Sequence, residues 1–216
     1  MENIKEMGFD TRAIHGGHIG DKQFGSLATP IYQTSTFIFD SAEQGGNRFA
    51  GQENGYIYTR LGNPTCTEVE EKLALLEGGE AAVSTGSGMG AISSALWTAL
   101  KAGDHVVASD TLYGCTFALL NHGLTRFGID VTFVNASNPE EVREALRPNT
   151  KVVYLESPAN PTLKINDIRK ISDIAHKNSS DCLVFVDNTF CTPCLQRPLE
   201  LGADVVVHSA TKYLNG

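Results

Sequence analysis

An α/β fold is what this sequence predicts: a mostly parallel sheet sandwiched by helices, preceded by an extended N-terminal arm. Three observations carry that expectation. Runs such as Lys151–Leu155, Leu183–Val186 and Ala203–Val207 are apolar almost throughout rather than alternating, which marks strands buried on both faces. These runs alternate with stretches of helical periodicity, the arrangement of parallel strands joined by crossover helices. Before residue 63 the texture differs, because Gly16, Gly17, Gly20, Gly25, Gly45, Gly46, Gly51 and Gly55 break the chain into pieces too short for a sustained helix. Residues 1–62 therefore read as an arm lying on the following domain or on a neighbouring subunit, and residues 63–216 as the sheet domain.

The elements follow in order. Thr65–Leu76 sets Val69, Leu73, Leu75 and Leu76 against Glu68, Glu70, Glu71 and Lys72 and stops at Gly78-Gly79, an amphipathic helix with a glycine end. Ala81–Ser84 reads as a short strand, and residues 84–90, Ser-Thr-Gly-Ser-Gly-Met-Gly, as the turn from it into an alanine-rich helix that runs to Lys101. His105–Ser109 is the next strand, Cys115 to about Phe127 a helix, and Val131–Val134 a strand. Asn138, Pro139, Glu140 and Glu141 open another helix, with Asn as cap, Pro at the first helical position and acids in the first turn. Strand Lys151–Leu155, a helix from about Ile165 to Lys177, strand Leu183–Val186 and strand Asp204–Val207 complete the alternation.

Composition narrows the function. Hydrophobic residues make up 41% and charged residues 19% of the 216, so the chain folds around a core, and no apolar run approaches the roughly 20 residues of a membrane span. A net charge of −8 without a clustered Lys/Arg face argues against a nucleic-acid partner. The segment Met1–Phe9 mixes charges and lacks an apolar signal core, so a cytoplasmic location is expected. Five cysteines form an odd set, which fits reduced thiols better than a disulfide framework. Cys191-Thr-Pro-Cys194 has no second ligand pair at zinc spacing, so a loop lining another site is expected there, and no metal.

Several residues at strand ends carry candidate chemistry. Lys212 follows the last strand with Ser209 and Thr211 beside it, an amine and two hydroxyls where ligands gather in open α/β sheets; alone, it reads more readily as a solvated surface lysine. Ser87, Gly88 and Met89 lie in a glycine-rich turn that opens a helix, where free amides can hold a phosphate, or where a plain tight turn would suffice. Asp187 ends a buried strand as either a turn former or a carboxylate for a ring nitrogen. Asn160 is a turn residue or a donor to a ring hydroxyl. Tyr113, after another strand, could stack on a flat cofactor and, as a phenol of lowered pKa, move a proton; an ordinary loop aromatic is the alternative. Tyr58 and Arg60, two apart, would share a face if the chain there is extended, suited to gripping a phosphate.

Taken in order, Tyr58-x-Arg60, Ser87-Gly-Met89, Tyr113-Gly, Glu156-Ser-Pro-x-Asn-Pro161, Val186-Asp-Asn188 and Ser209-Ala-Thr-Lys-Tyr213 resemble the signature of the cysteine/methionine-metabolism pyridoxal-phosphate enzymes. The resemblance runs from Thr11 to the end. It implies the large domain of the aspartate-aminotransferase-like fold, called fold type I, and pyridoxal 5'-phosphate held as a covalent aldimine on Lys212. It further implies that Lys212 shuttles protons, that Asp187 pairs with the pyridine nitrogen, and that Gly88, Met89, Ser209 and Thr211 bind the phosphate. Tyr58 and Arg60 would reach in from a neighbouring subunit of a homotetramer, a dimer of dimers, and Tyr113 would serve as acid/base at the leaving group. Cys115, after Tyr113-Gly114, resembles the branch that eliminates methanethiol from L-methionine. The alternatives within the family are cystathionine γ-lyase, cystathionine γ-synthase and O-acetylhomoserine sulfhydrylase. A non-catalytic nucleotide-binding module using the turn around Ser87 is the alternative outside it. Family members continue past the equivalent of residue 216 into a C-terminal domain that bears the arginine for the substrate carboxylate, so this chain is expected to be a fragment or a cut listing.

Overall fold

The computed structural model describes residues 4–18, 20–21 and 23–215. They form two compact units, Met1–Ser84 and Thr85–Gly216.

Among the described residues the first unit holds the α-helices α1 (Phe9–His15), α2 (Ala42–Phe49) and α3 (Pro64–Glu77). The start of α3 follows the rules of helix capping: Asn63 accepts from the Thr65 amide and Pro64 takes the first helical position, while Gly78 closes the helix in the left-handed conformation at φ 74°. The preceding chain is laid along this helix. The Tyr32 amide donates to the Thr65 hydroxyl at 3.0 Å, and the Asn63 side-chain amide donates to the Tyr32 carbonyl at 2.9 Å. Gly17 allows α1 to end against α3, since a Cβ there would lie 2.6 Å from the Lys72 nitrogen. Ala81–Ser84 differs from the expected strand. Among the described residues it pairs with no strand; the Ser84 amide and hydroxyl both donate to Glu70 instead, and Val83 is exposed. A strand needs a ladder partner, and a side-chain carboxylate has taken that role.

The second unit is a five-stranded sheet of β1 (His105–Ser109), β2 (Asp130–Val134), β3 (Thr150–Glu156), β4 (Leu183–Asp187) and β5 (Val205–Val207), in the order β2-β1-β3-β4-β5 and parallel throughout. Successive side chains of a strand point to opposite faces, so each central strand feeds two cores. Val106, Ala108, Val152, Tyr154 and Phe185 pack with Ile92, Leu96, Leu120 and Leu124 on one side. Val107, Val153, Leu155, Val184 and Val186 pack with Val142, Ile171 and Ala175 on the other. The helices that cover these faces include α4 (Gly88–Ala99), α5 (Gly114–Ala118), α6 (Pro139–Ala145) and α7 (Ile168–Asn178). As expected, Asn138 caps α6 by accepting from the Glu140 amide, and Pro139 opens it.

Two helices depart from expectation for local reasons. The run after Cys115 changes from α5 to a π turn at Leu119–Gly123 and a 3-10 turn at Leu124–Phe127. Gly123 lies inside it, and glycine costs about 1 kcal/mol in a helix interior relative to alanine. Helix α7 begins at Ile168 rather than near Ile165 because the preceding residues are used elsewhere. Asn166 is buried, bonded to the Glu156 carbonyl and the Ser157 hydroxyl, and the Asp167 side chain caps the helix through the Lys170 amide.

Candidate active site at the carboxyl edge of the sheet

All strands of the second unit run the same way, so their carboxyl ends share one edge, the edge at which open α/β sheets bind ligands. Asp187 is the last residue of β4, Tyr113 follows β1, Asn160 follows β3, and Ser209, Thr211 and Lys212 follow β5. The start of α4 reaches the same edge. A Cβ on Gly88 would lie 2.8 Å from the Ser209 Cβ, so only glycine lets the helix N-terminus and the loop after β5 meet. Ser87 caps α4 by accepting from the Gly90 amide at 3.0 Å, and the earlier amides, those of Gly88 and Met89, have no acceptor within the helix. Met89 packs under the site, with its sulfur 3.8 Å from the Thr116 hydroxyl.

The loop that carries the lysine is fixed from below. The Ser209 amide donates to the Thr189 hydroxyl at 2.9 Å, and the Lys212 amide to the Ser209 carbonyl at 3.2 Å. Lys212 itself is exposed, as are Thr211 and Asn160. Asp187 is buried at 8% exposure, and its carboxylate accepts from the Thr189 amide at 3.0 Å. Burial pushes its pKa above the ordinary carboxylate value, while bonding by Thr189 and the nearby His208 pull it back. Such a carboxylate is poised to take a proton or to face a cation, and a protonated ring nitrogen supplies one.

Tyr113 is half-exposed and stands at the start of α5 with Cys115. Its phenol is pushed up by hydrogen bonding to the Cys115 thiol and by the charge that thiol acquires. That corrects the expectation of a phenol of lowered pKa: the neighbour is an acid of its own, not a cation. The Tyr113 phenol therefore keeps its proton at neutral pH.

Tyr58 and Arg60 lie in the first unit. The chain is extended there for a single antiparallel bridge, Thr36 to Tyr58, and then turns, with the Leu61 and Gly62 amides bonded to the Tyr58 carbonyl. A continuous strand is thus not what puts the two side chains on one side. The Arg60 guanidinium folds over the Tyr58 ring, 5.5 Å from its centroid, and both line an open groove with Tyr32, Thr34 and Asn63.

Cys191 caps the one-turn helix α8 (Thr192–Leu195) and Cys194 lies within it, and burial pushes the Cys191 thiol up, the reverse of an activated redox thiol. Among the described residues, no group of three or more His, Cys, Asp or Glu side chains is placed to hold a metal ion, and no helix is long and apolar enough to cross a membrane.

Three participants were not singled out from the sequence. Glu156, at the end of β3, accepts from the Tyr113 amide at 2.7 Å and from the Asn160 amide at 3.0 Å. Thr189 holds both Asp187 and Ser209. Tyr154 places its phenol, fully buried, near Asp187 and Glu156. Glu156 and Thr189 stood within reach of a sequence signal, as buried-strand-end polar residues beside Asn160 and Asp187; Tyr154 is indistinguishable from an ordinary core aromatic.

The residues fit pyridoxal phosphate: a glycine-cleared helix N-terminus with adjacent hydroxyls suits a phosphate, and a buried carboxylate suits a ring cation. Residues 10–216 match the family described as Cys/Met metabolism PLP-dependent enzyme. The chain belongs to that family. Among Cys/Met metabolism relatives, the L-methionine gamma-lyase of Porphyromonas gingivalis is 68% identical over 100% of this chain and 53% of its own length. The cystathionine gamma-lyase of Bacillus subtilis is 48% identical over 95% of this chain and 52% of its own. A solved structure from Campylobacter jejuni, titled a putative O-acetylhomoserine (thiol)-lyase with pyridoxyl-lysine monophosphate, superposes with a TM-score of 0.89 at 38% identity, covering 96% of this chain and 51% of that one. This chain thus spans about half the length of the curated relatives it matches. Membership in the Cys/Met metabolism family replaces the reading of a nucleotide-binding module for the turn around Ser87.

Proposed function

We propose that the full-length protein cleaves L-methionine by γ-elimination, giving methanethiol, 2-oxobutyrate and ammonia with the consumption of one water. The observation that carries the choice of substrate is the gradient of similarity, markedly higher toward the relative named for methionine than toward the one named for cystathionine. Cys115 at the Tyr113 phenol agrees with it.

Pyridoxal phosphate, when bound, supplies an electron-accepting ring that makes the substrate's carbon-bound protons acidic. The chain's residues divide the remaining work. Lys212 would hold the cofactor covalently and, once the substrate amine replaces it, would take the α-proton. That proton does not go back, because the α-carbon ends as the ketone of 2-oxobutyrate; a β-proton is lost before the sulfur departs and the γ-carbon is protonated to the product methyl. Asp187 keeps a proton on the ring nitrogen, and that cation compensates its own burial. The Gly88 and Met89 amides, with the Ser87-capped helix start and the Ser209 and Thr211 hydroxyls, receive the phosphate, and Asn160 donates to the ring hydroxyl. Tyr113 stacks on the ring and gives its proton to the departing sulfur, with Cys115 shaping the leaving-group pocket. Tyr58 and Arg60 complete the phosphate site of a neighbouring subunit, which makes the active form an oligomer, a cytoplasmic homotetramer of paired dimers.

The deciding experiment compares methanethiol release from L-methionine with turnover of cystathionine and O-acetylhomoserine by purified full-length protein. Preference for either of the latter overturns the substrate; a wild-type protein that takes up no pyridoxal phosphate overturns the whole reading. Replacing Lys212 with alanine removes the borohydride-sensitive yellow absorbance if the covalent assignment is right.

A further inference from the structure

We propose that Glu156 is the positioning residue of this site: one buried carboxylate that fixes Tyr113 and Asn160 relative to each other. The inference rests on the reading above for what those two residues do, but its geometry stands alone.

Glu156 closes β3 and is 2% exposed. Its Oε2 accepts from the Tyr113 amide at 2.7 Å and its Oε1 from the Asn160 amide at 3.0 Å. These amides belong to loops that leave two different strands, β1 and β3, so a single side chain ties together the proton donor and the ring-hydroxyl donor. A carboxylate suits the task because it offers two acceptors and no donor, one to each N–H. Glutamine cannot copy it, since its NH2 group would face one of the amides head-on. Aspartate keeps the chemistry but is one methylene shorter.

Charge adds a second reason. Glu156 and Asp187 are paired residues of β3 and β4, and paired positions of neighbouring parallel strands project from the same face. Burial, and then the charge of Asp187, push the Glu156 carboxyl up, while the two amide bonds pull it back. When ionised, Glu156 sets a negative charge beside Asp187 that favours a cation at that place.

The test uses full-length protein with Glu156→Gln and Glu156→Asp, read first by residue-resolved amide hydrogen exchange and then by kinetics. In Glu156→Gln, exchange at the Tyr113 and Asn160 amides rises roughly 10- to 100-fold, while strand amides such as Val153 and Val186 keep their rates. In the same variant kcat falls about 10-fold or more with KM changed less than about 3-fold, as for a displaced group that acts in the transition state, and Glu156→Asp recovers part of both effects. Unchanged exchange at Tyr113 and Asn160, or equal acceleration at every sheet amide, overturns the inference. Exchange is measured with or without cofactor, so a protein that binds no pyridoxal phosphate refutes the proposed function while leaving the role of Glu156 decided by its amides. Should Glu156→Gln fail to fold, Glu156→Asp carries the same local-against-global comparison.

Discussion

The two ends of the parallel sheet bury ionisable groups in opposite ways. At the amino edge, His105 opens β1 with no exposed surface, and its two ring nitrogens meet the Thr150 and Thr132 hydroxyls at 2.8 and 2.9 Å. Burial, with a smaller push from Arg147, lowers its pKa to about 4. It is therefore neutral at pH 7 and closed, with each nitrogen satisfied. At the carboxyl edge, Glu156 and Asp187 end adjacent strands with both carboxyls pushed up by burial. Backbone amides satisfy part of their bonding and His208 draws Asp187 partly back, yet both carboxyls remain shifted upward. The same desolvation physics makes a joint at one end and a site at the other, and the difference is whether the partners present are enough.

The largest expected effect breaks the site end. Asp187→Asn keeps an acceptor for the Thr189 amide but removes the charge, and activity of the full-length enzyme should fall on the order of 10²- to 10³-fold, as for loss of one preorganised electrostatic partner. The cofactor-free form of that variant should gain stability, by a few °C in Tm, because an incompletely compensated buried charge is gone. A lower Tm would show that Asp187 is a structural anchor like His105.

The next breaks the joint. His105→Ala leaves the Thr150 and Thr132 hydroxyls with Arg147 but without the ring between them, and opens a cavity, for a loss of about 2–4 kcal/mol in denaturant unfolding with turnover at the site little changed. The pH dependence sharpens the same point. With a folded pKa of about 4 against 6.5 unfolded, the unfolded chain binds the extra proton, so this contribution is intact above pH 6.5 and is lost as pH falls toward 4. At about 1.4 kcal/mol per unit it reaches about 3 kcal/mol. Acid unfolding of wild type and His105→Ala in parallel checks it; equal slopes between pH 6.5 and 4 would refute the assignment.

The smallest concerns the approach of α4 to β5. Gly88→Ala inserts a Cβ 2.8 Å from the Ser209 Cβ, which forces the helix start away from the lysine loop. Equilibrium dialysis of pyridoxal phosphate should show affinity weakened about 10-fold, a cost within the range of overpacking by one methyl group.

Much of this was legible in the chain itself. Continuous apolar runs separated by helical periods specify parallel strands because a strand covered on both faces has no place for polar residues. Asn138-Pro139 and Asn63-Pro64 announce helix starts because capping is a local transaction between neighbours. The ordered motifs around Tyr58, Ser87, Tyr113, Asn160, Asp187 and Lys212 pointed to the family, since they place distinct residue types in a fixed order along the chain. Where local signals met long-range competition they misled. Ala81–Ser84 has strand composition, but its bonding went to Glu70, fourteen residues back.

The sequence alone thus determined the fold class and the family and marked out the candidate site residues, all of which depend on short-range pattern. Only the tertiary structure decided how they are held. That the Tyr113 phenol is pushed up by the Cys115 thiol follows from how the chain turns at the start of α5, while the need for Gly88 to be bare to meet Ser209 and the hold of Glu156 on the Tyr113 loop are consequences of distances between residues far apart in the chain. The strength of each, and the sign of the pKa shifts, is set by burial and by which neighbours arrive, and neither exists until the strands have assembled.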